Sequence, residues 1–256
     1  MSISWPDDLF EFAYMGNTQQ MLDNLSALAE QENWDYQNTP STQYKPVLMN
    51  FLKYTYKRLA EEGKIIRSDN DDKATFNTGL VTPSQENIYA LFERNNNPDR
   101  QPWRFMRFVR RGEQYLTAFS QLPDIASYFT NPSSLVLDCN KDLRVNVEHI
   151  VNDNKARFPA PFNTMDDFAL QTFLKGAIDN AKERVKRNYK TAVPQYYSGR
   201  VQLMLPLCIS RPGQADLAII VEDHGLFYRA ATCLTLDMAY NNARLLAKPD
   251  KDWLTP

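Results

Sequence analysis

Residues 166–189 limit what this chain can fold into more than any other stretch. Phe173, Leu174, Ala177, Ile178, Ala181 and Val185 recur at helical spacing, while Lys175, Asp179, Lys182, Glu183, Lys186 and Arg187 fill the opposite face. Such a stripe commits a long helix to lie with one side on a core and the other in water. Asp166 or Thr164 supplies the cap, and the basic end suits the negative pole of the helix. The period changes directly afterwards: Gly199 turns into RVQLMLPLCIS, RPGQ leads to ADLAIIVED, and HG leads to FYRAATCLTL. Apolar runs of this length between turn residues predict an antiparallel meander. The class is therefore α+β, mainly antiparallel sheet with a long central amphipathic helix.

The segments on either side fit that class. Residues 18–31 (TQQMLDNLSALAEQ) form an amphipathic helix with Thr18 as its cap, and residues 46–62 form a second between Pro46 and Gly63. Residues 64–80 predict a hairpin around a polar Asp/Asn turn. Residues 87–93 (NIYALFE) fit helix or strand, and 103–110 (WRFMRFVR) have the aromatic content of a strand. Residues 142–158 carry helical spacing, although LRVNV also fits the start of a strand. Asp237 is placed to cap a closing helix that stops before Pro249. With no repeat, low-complexity tract or Gly/Ser linker, the expectation is one α+β domain over 1–256, with residues 1–62 as a candidate helical subdomain.

Charge and cysteine usage exclude several classes. The formal net charge is −2, which gives no global field for nucleic acid or membrane, so a polyanion site must be a local patch. Cys139, Cys208 and Cys233 contain no CxxC pair and read as buried small hydrophobes rather than ligands or nucleophiles. No apolar run approaches the ~18 residues that span a bilayer, and the N-terminus has neither a basic nor an apolar signal region. A reduced, soluble, cytoplasmic protein without membrane contact is expected.

Four groups carry candidate chemistry. At the helix-to-strand junction NYKTAVPQYYSGR, the cations Arg184, Arg187, Lys190 and Arg200 would meet Tyr196 and Tyr197 if the helix end packs beside the next strand. Guanidinium and ammonium groups suit phosphate, and tyrosine suits a base. The bland reading is a helix end with ordinary dipole partners. His149 is a natural acid or base near neutral pH, with Asn146 three residues before it on one helix face. With only two histidines in the chain, a metal site of several imidazoles is excluded. Asp216, Glu222, Asp223 and Asp237 lie on or near sequential strands and would hold Mg²⁺ if two or three converged. Trp103–Arg111 interleaves basic and aromatic residues, as an RNA-binding sheet does and as a half-buried strand with surface arginines does. Walker A, GxGxxG and GxSxG motifs are all missing.

Several segments together resemble the bacterial family catalogued as domain of unknown function 3825: LFEFAYMGN at the start, FNTGL (76–80), LRVNVEHIVNDNKARFP (143–159), NYKTAVPQYYSGRVQLMLPL (188–207) and LTLDMAYNNARLLAKPDKDWL (234–254). The resemblance spans nearly the whole chain. It implies RNA or nucleotide biology, because members of that family occur alone or joined to cold-shock or LOTUS-type modules; no catalytic role comes with it. Carried onto this chain, its recurring residues are Asn77, Arg144, Asn146, His149, Asn154, Arg157, Asn188, Lys190, Gln195, Tyr196, Asp237, Asn241, Asn242 and Arg244.

The resulting expectation is an RNA- or nucleotide-binding protein that processes a phosphoester or phosphoanhydride. His149 and Lys190 would be the catalytic pair. Arg144, Asn146, Asn188, Tyr196, Asn241, Asn242 and Arg244 would hold the phosphate-bearing ligand, with no protein metal ligands and with Mg²⁺ as the candidate cofactor. Two alternatives stand beside it: a non-catalytic binding module using Trp103–Arg111 and Tyr196/Tyr197, and a structural or partner-binding domain. Geometry separates them, since the first requires His149, Lys190 and Arg244 to share one cleft.

Overall fold

The computed structural model describes residues 5–249 and Leu254. They form two compact units, the first running to Asp35 and then over Ser41–Ser127, the second made of Tyr36–Pro40 and the residues from Tyr128 onward. Within the span expected to be one α+β domain, the division between the compact units falls near residue 127. The reason is that each sheet gathers its own helices.

The first unit contains α1 (Leu9–Phe12), β1 (Ala13–Tyr14), α2 (Thr18–Leu28), α3 (Pro46–Glu61), β2 (Ile66–Arg67), β3 (Lys73–Val81), β4 (Asn87–Arg94) and β5 (Trp103–Arg110). Its sheet has the order β1-β5-β4-β3-β2, antiparallel except for the short parallel β1–β5 edge. NIYALFE is thereby resolved as a strand. The cap of α2 is Asn17, which accepts from Gln20 N–H, rather than Thr18. An aromatic core joins the helices to the sheet: Phe12 lies 5.0 Å from Phe92, Tyr56 lies 5.6 Å from Phe76, and Phe76 lies 5.5 Å from Phe92. The helices of residues 1–62 thus bury rings against β3 and β4. Between Asn77 and Val81 the register of β3 shifts. There Gly79 takes φ +75°, and its N–H is held by the buried Asn77 amide oxygen.

The second unit contains β6 (Asp142–Val145), α4 (Val147–Asn154), α5 (Asp167–Arg187), β7 (Val193–Tyr197), β8 (Arg200–Leu207), β9 (Leu217–Asp223), β10 (Phe227–Ala230), β11 (Cys233–Thr235) and α6 (Leu236–Arg244). The expected stripe of α5 is buried, apart from half-exposed Phe173, and Asp166 caps the helix through Phe168 and Ala169 N–H. The sheet order is β6-β10-β9-β8-β7, with β11 also on β9. The β8–β9–β10 meander is antiparallel as predicted; β7 adds a further antiparallel strand on β8, FYRAATCLTL divides into β10 and β11, and β6 joins β10 in parallel, which makes the sheet mixed.

Alternation along these strands gives the sheet two different faces. Leu203, Leu205 and Leu207 of β8, Ile219 and Val221 of β9, and Tyr228 and Ala230 of β10 pack with Leu174, Ile178 and Val185 of α5. Ile150 and Val151 of α4 join the same core. The opposite face carries Arg200, Gln202 and Met204, and α6 reaches it through Asn242, which donates to Gln195 at 3.0 Å.

Candidate nucleic-acid interface

On the α6-side face one polar residue from each strand falls into a single row. Pairing aligns Gln195 of β7 with Gln202 of β8, Glu222 of β9 with Arg229 of β10, and Arg229 with Arg144 of β6. A Gln202 Nε2–Glu222 Oε1 hydrogen bond of 2.7 Å closes the middle of the row. Gln195 Nε2 donates to Gln202 Oε1 at 2.7 Å, so amides and a carboxylate run unbroken from Asn242 to Glu222. Gln195 and Gln202 are buried, and a buried amide must find partners of this kind.

Past Glu222 the row emerges into solvent. Arg144 lies over the Phe227 ring, 3.9 Å from its centre. His224 stacks on the same ring at 5.4 Å and 6°. Arg200 and Tyr197, a cross-strand pair, extend the exposed face along β7 and β8, with Tyr197 56% accessible. The charges are partly compensated: Arg144 meets Asp142 at 3.2 Å, and Arg200 and His224 meet Glu222 at 4.0 and 3.7 Å. Arg229 is exposed and, among the described residues, has no carboxylate at ion-pair distance. The patch offers flat groups for stacking and three guanidinium groups for phosphate, on a rigid sheet.

The residues expected to form one catalytic cleft are distributed differently. His149 is exposed on α4 and faces Asp153 at 3.4 Å. Lys190 is exposed in the short turn between α5 and β7. His149 follows β6 and Lys190 precedes β7, the two opposite edges of the sheet. Four strand spacings separate those edges, roughly 19 Å. Arg244 is buried on α6. Asn146 and Asn188 serve the backbone: Asn146 caps α4 through His149 N–H, and Asn188 closes the turn after α5 through Lys190 N–H. The Tyr196 ring packs on Tyr128 at 4.8 Å, while its neighbour Tyr197 belongs to the α6-side face. Nor do the four junction cations converge. Arg184 meets Cys208 at 3.8 Å, Arg187 meets Glu183 at 3.9 Å, and Arg200 points to the other side of the sheet.

The remaining polar residues hold segments in place. Asn154 Oδ1 accepts from Cys233 N–H at 3.0 Å, the Thr232 hydroxyl at 2.8 Å and Arg157 at 2.8 Å, tying α4 to the bulge between β10 and β11. Asp237 does not cap α6, a role taken by Thr235. It is buried, and it accepts from Gln37 N–H at 3.0 Å, Asn38 N–H at 3.1 Å and the Asn38 amide at 3.2 Å. Asn241 donates to the Tyr36 hydroxyl at 2.7 Å. Residues 36–40 are thereby fastened to α6. Charge-assisted bonds contribute about 1.5–3 kcal/mol each when no orphan is left behind. Asp237→Ala is therefore expected to lower stability by about 2–3 kcal/mol and to speed protease cleavage at 36–40, read by urea denaturation and timed proteolysis.

The four acids considered for Mg²⁺ are dispersed among these tasks. Asp216 accepts from Ile209 and Ser210 N–H, Glu222 sits in the row, Asp223 pairs with Lys141 at 2.8 Å, and Asp237 holds residues 36–40. Among the described residues no group of three His, Cys, Asp or Glu side chains is placed to share an ion. Of the cysteines, Cys233 is buried and its thiol is pushed up to about 12 by burial. Cys208 is half-buried and also raised, by burial that outweighs the opposing pull of Arg184. Cys139 is exposed, contrary to the uniform burial expected for all three.

Three cations of Trp103–Arg111, namely Arg104, Arg107 and Arg110, meet groups of the first unit. Arg67 and Arg94 lie 5.8 and 4.6 Å from the centre of the buried Trp103 ring, Arg107 lies 4.5 Å from Tyr115, and Arg104 and Arg110 pair with Glu93 and Glu113. These contacts fit a half-buried strand bearing surface arginines. Sequence reasoning missed Gln202, Phe227 and Arg229. The usable signal was a lone polar residue inside an apolar strand, such as Gln202 in RVQLMLPL, which must be answered by another strand.

Among the described residues no helix is long and apolar enough to cross a membrane. A family model described as Domain of unknown function (DUF3825) matches residues 25–253. No curated protein and no solved structure matches the chain.

Proposed function

The chain belongs to the DUF3825 family, and we propose that it binds RNA or a nucleotide on the α6-side face of its second sheet. The observation that carries this reading is the layered Arg144–Phe227–His224 stack beside exposed Arg229, Arg200 and Tyr197. A single-stranded base stacks on such a surface whatever its identity, while guanidinium groups take the phosphates. Processing of the bound phosphoester would need an acid–base group and a cation at one scissile bond. His149 and Lys190 adjoin opposite edge strands, so binding is the better supported half of the reading.

The test is fluorescence anisotropy of a labelled single-stranded oligoribonucleotide over a salt series. Each phosphate contact to a single strand contributes about 0.7 to the slope of log affinity against log salt. Arg144→Gln/Arg200→Gln/Arg229→Gln is expected to reduce the slope by about 2 and the affinity by at least about tenfold. An unchanged slope and affinity in the triple variant would overturn the assignment to this face.

A further inference from the structure

A second site lies on the α5 side of the sheet. A cleft of about 480 Å³ opens between α5 and the loop that leaves β8. Ala177, Asn180, Ala181 and Arg184 present one stripe of α5 to it, at the three- and four-residue spacing that aligns side chains on a helix. Cys208, Ser210, Arg211 and Gly213 form the facing wall. The loop is held open by Asp216, which accepts from Ile209 N–H at 2.7 Å, Ser210 N–H at 2.8 Å and the Ser210 hydroxyl at 2.5 Å. That carboxylate is consumed by its own loop.

The two arginines are the informative feature. The other acids near this part of α5 are engaged along the helix: Asp179 faces Lys182 at 3.8 Å, and Glu183 takes Lys186 at 2.7 Å and Arg187 at 3.9 Å. Among the described residues neither Arg184 nor Arg211 has a carboxylate at ion-pair distance. Among the described residues the Arg184 side chain makes one hydrogen bond, to the weak acceptor Cys208 Sγ at 3.8 Å. Two like charges lining one cleft repel each other unless an anion lies between them. The cleft is also in the size range of small-ligand sites and has apolar walls at Ala177, Pro206 and Ile209.

We infer that this cleft binds a small phosphomonoester, its phosphate held by Arg184 and Arg211 with Asn180 as a further donor. The apolar walls take the compact organic body. The site is independent of the RNA face, because it lies on the opposite side of the sheet.

Cys208 gives a direct readout, since it lines the cleft beside Arg184. N-ethylmaleimide labelling of the intact protein, mapped by peptide mass spectrometry, is followed with inorganic phosphate, adenosine 5′-monophosphate or adenosine added. Phosphate and the monophosphate are expected to slow Cys208 labelling several-fold, adenosine to leave it unchanged, and exposed Cys139 to label equally throughout. Calorimetric titration with the monophosphate is the parallel measurement, and it decides the matter should Cys208 label too slowly to follow. Arg184→Gln and, separately, surface Arg211→Gln are expected to weaken that binding at least about tenfold. The Arg144→Gln/Arg200→Gln/Arg229→Gln protein is expected to keep it. Protection by phosphate without adenosine 5′-monophosphate would overturn the organic pocket. Absence of any calorimetric binding, or binding unaffected by both single variants, would overturn the site altogether.

Discussion

Phe92→Ala is expected to destabilise the first unit by about 3–5 kcal/mol, the range for an aromatic side chain deleted from a closed core. Phe92 is fully buried, with Phe12, Phe76 and Phe105 at 5.0, 5.5 and 5.7 Å. Those rings are themselves fixed, Phe12 by Tyr56 at 5.1 Å and Phe76 by Tyr56 at 5.6 Å, so they cannot collapse into the space left behind. Interior packing at crystal-like density leaves the cavity largely unfilled. Phe92→Leu keeps most of the volume and is expected to lose only about 1 kcal/mol. Three of the four tryptophans, Trp5, Trp34 and Trp103, belong to the first unit. Tryptophan fluorescence during urea unfolding therefore reads the effect where it occurs. A loss below about 1 kcal/mol for the alanine variant would mean that the ring cluster is not close-packed.

Gln202→Leu is expected to destabilise the second unit by about 2–4 kcal/mol, through polarity and not through volume. Leucine nearly preserves the size of the side chain, but it removes the acceptor of Gln195 Nε2 and the donor to Glu222 Oε1 together. Each orphaned buried group costs about 1–3 kcal/mol. Gln195 is buried and has no route to water, whereas Glu222 keeps Arg200 and His224 nearby at 4.0 and 3.7 Å. Most of the loss should therefore be felt at Gln195. In the Gln195→Leu/Gln202→Leu double variant that orphan disappears. The double loss is expected to fall short of the sum of the single losses by about 1 kcal/mol or more. Far-ultraviolet circular dichroism across a urea series measures all three variants. Additive losses would mean that the row is a set of separate contacts rather than one chain.

The two variants also mark what was readable in advance. The stripe of α5 and its Asp166 cap, the span of α3, the hairpin after Gly63 and the β8–β10 meander all follow from residues within a few positions of one another. For NIYALFE and LRVNV the same local patterns suited two structures. Pairing to neighbouring strands decided for β4 in the first case and for β6 in the second. Asp237 and Thr235 illustrate the limit in a single turn. Both suit a helix start, and the choice was made by the backbone of residues 37 and 38, about 200 positions away in the chain.

The candidate site divides in the same way. Residue types marked Arg200 and the tyrosine pair as groups able to hold an anionic or aromatic ligand, and the family resemblance added Arg144 and Asn242. Their grouping was not legible, because it depends on register between distant strands. Arg144 meets Arg229 across the parallel β6–β10 pair, and Gln202 meets Glu222 across β8–β9. His149 and Lys190, attractive side by side in a shortlist, were assigned to opposite edges by the strand order. By itself the sequence determined the long helices and the β8–β10 meander, since helix and strand periods arise from contacts between near neighbours in the chain. The tertiary structure alone decided which polar groups share a surface. A shift of one residue in any of those pairings would have turned the arginines of the row toward the hydrophobic side of the sheet.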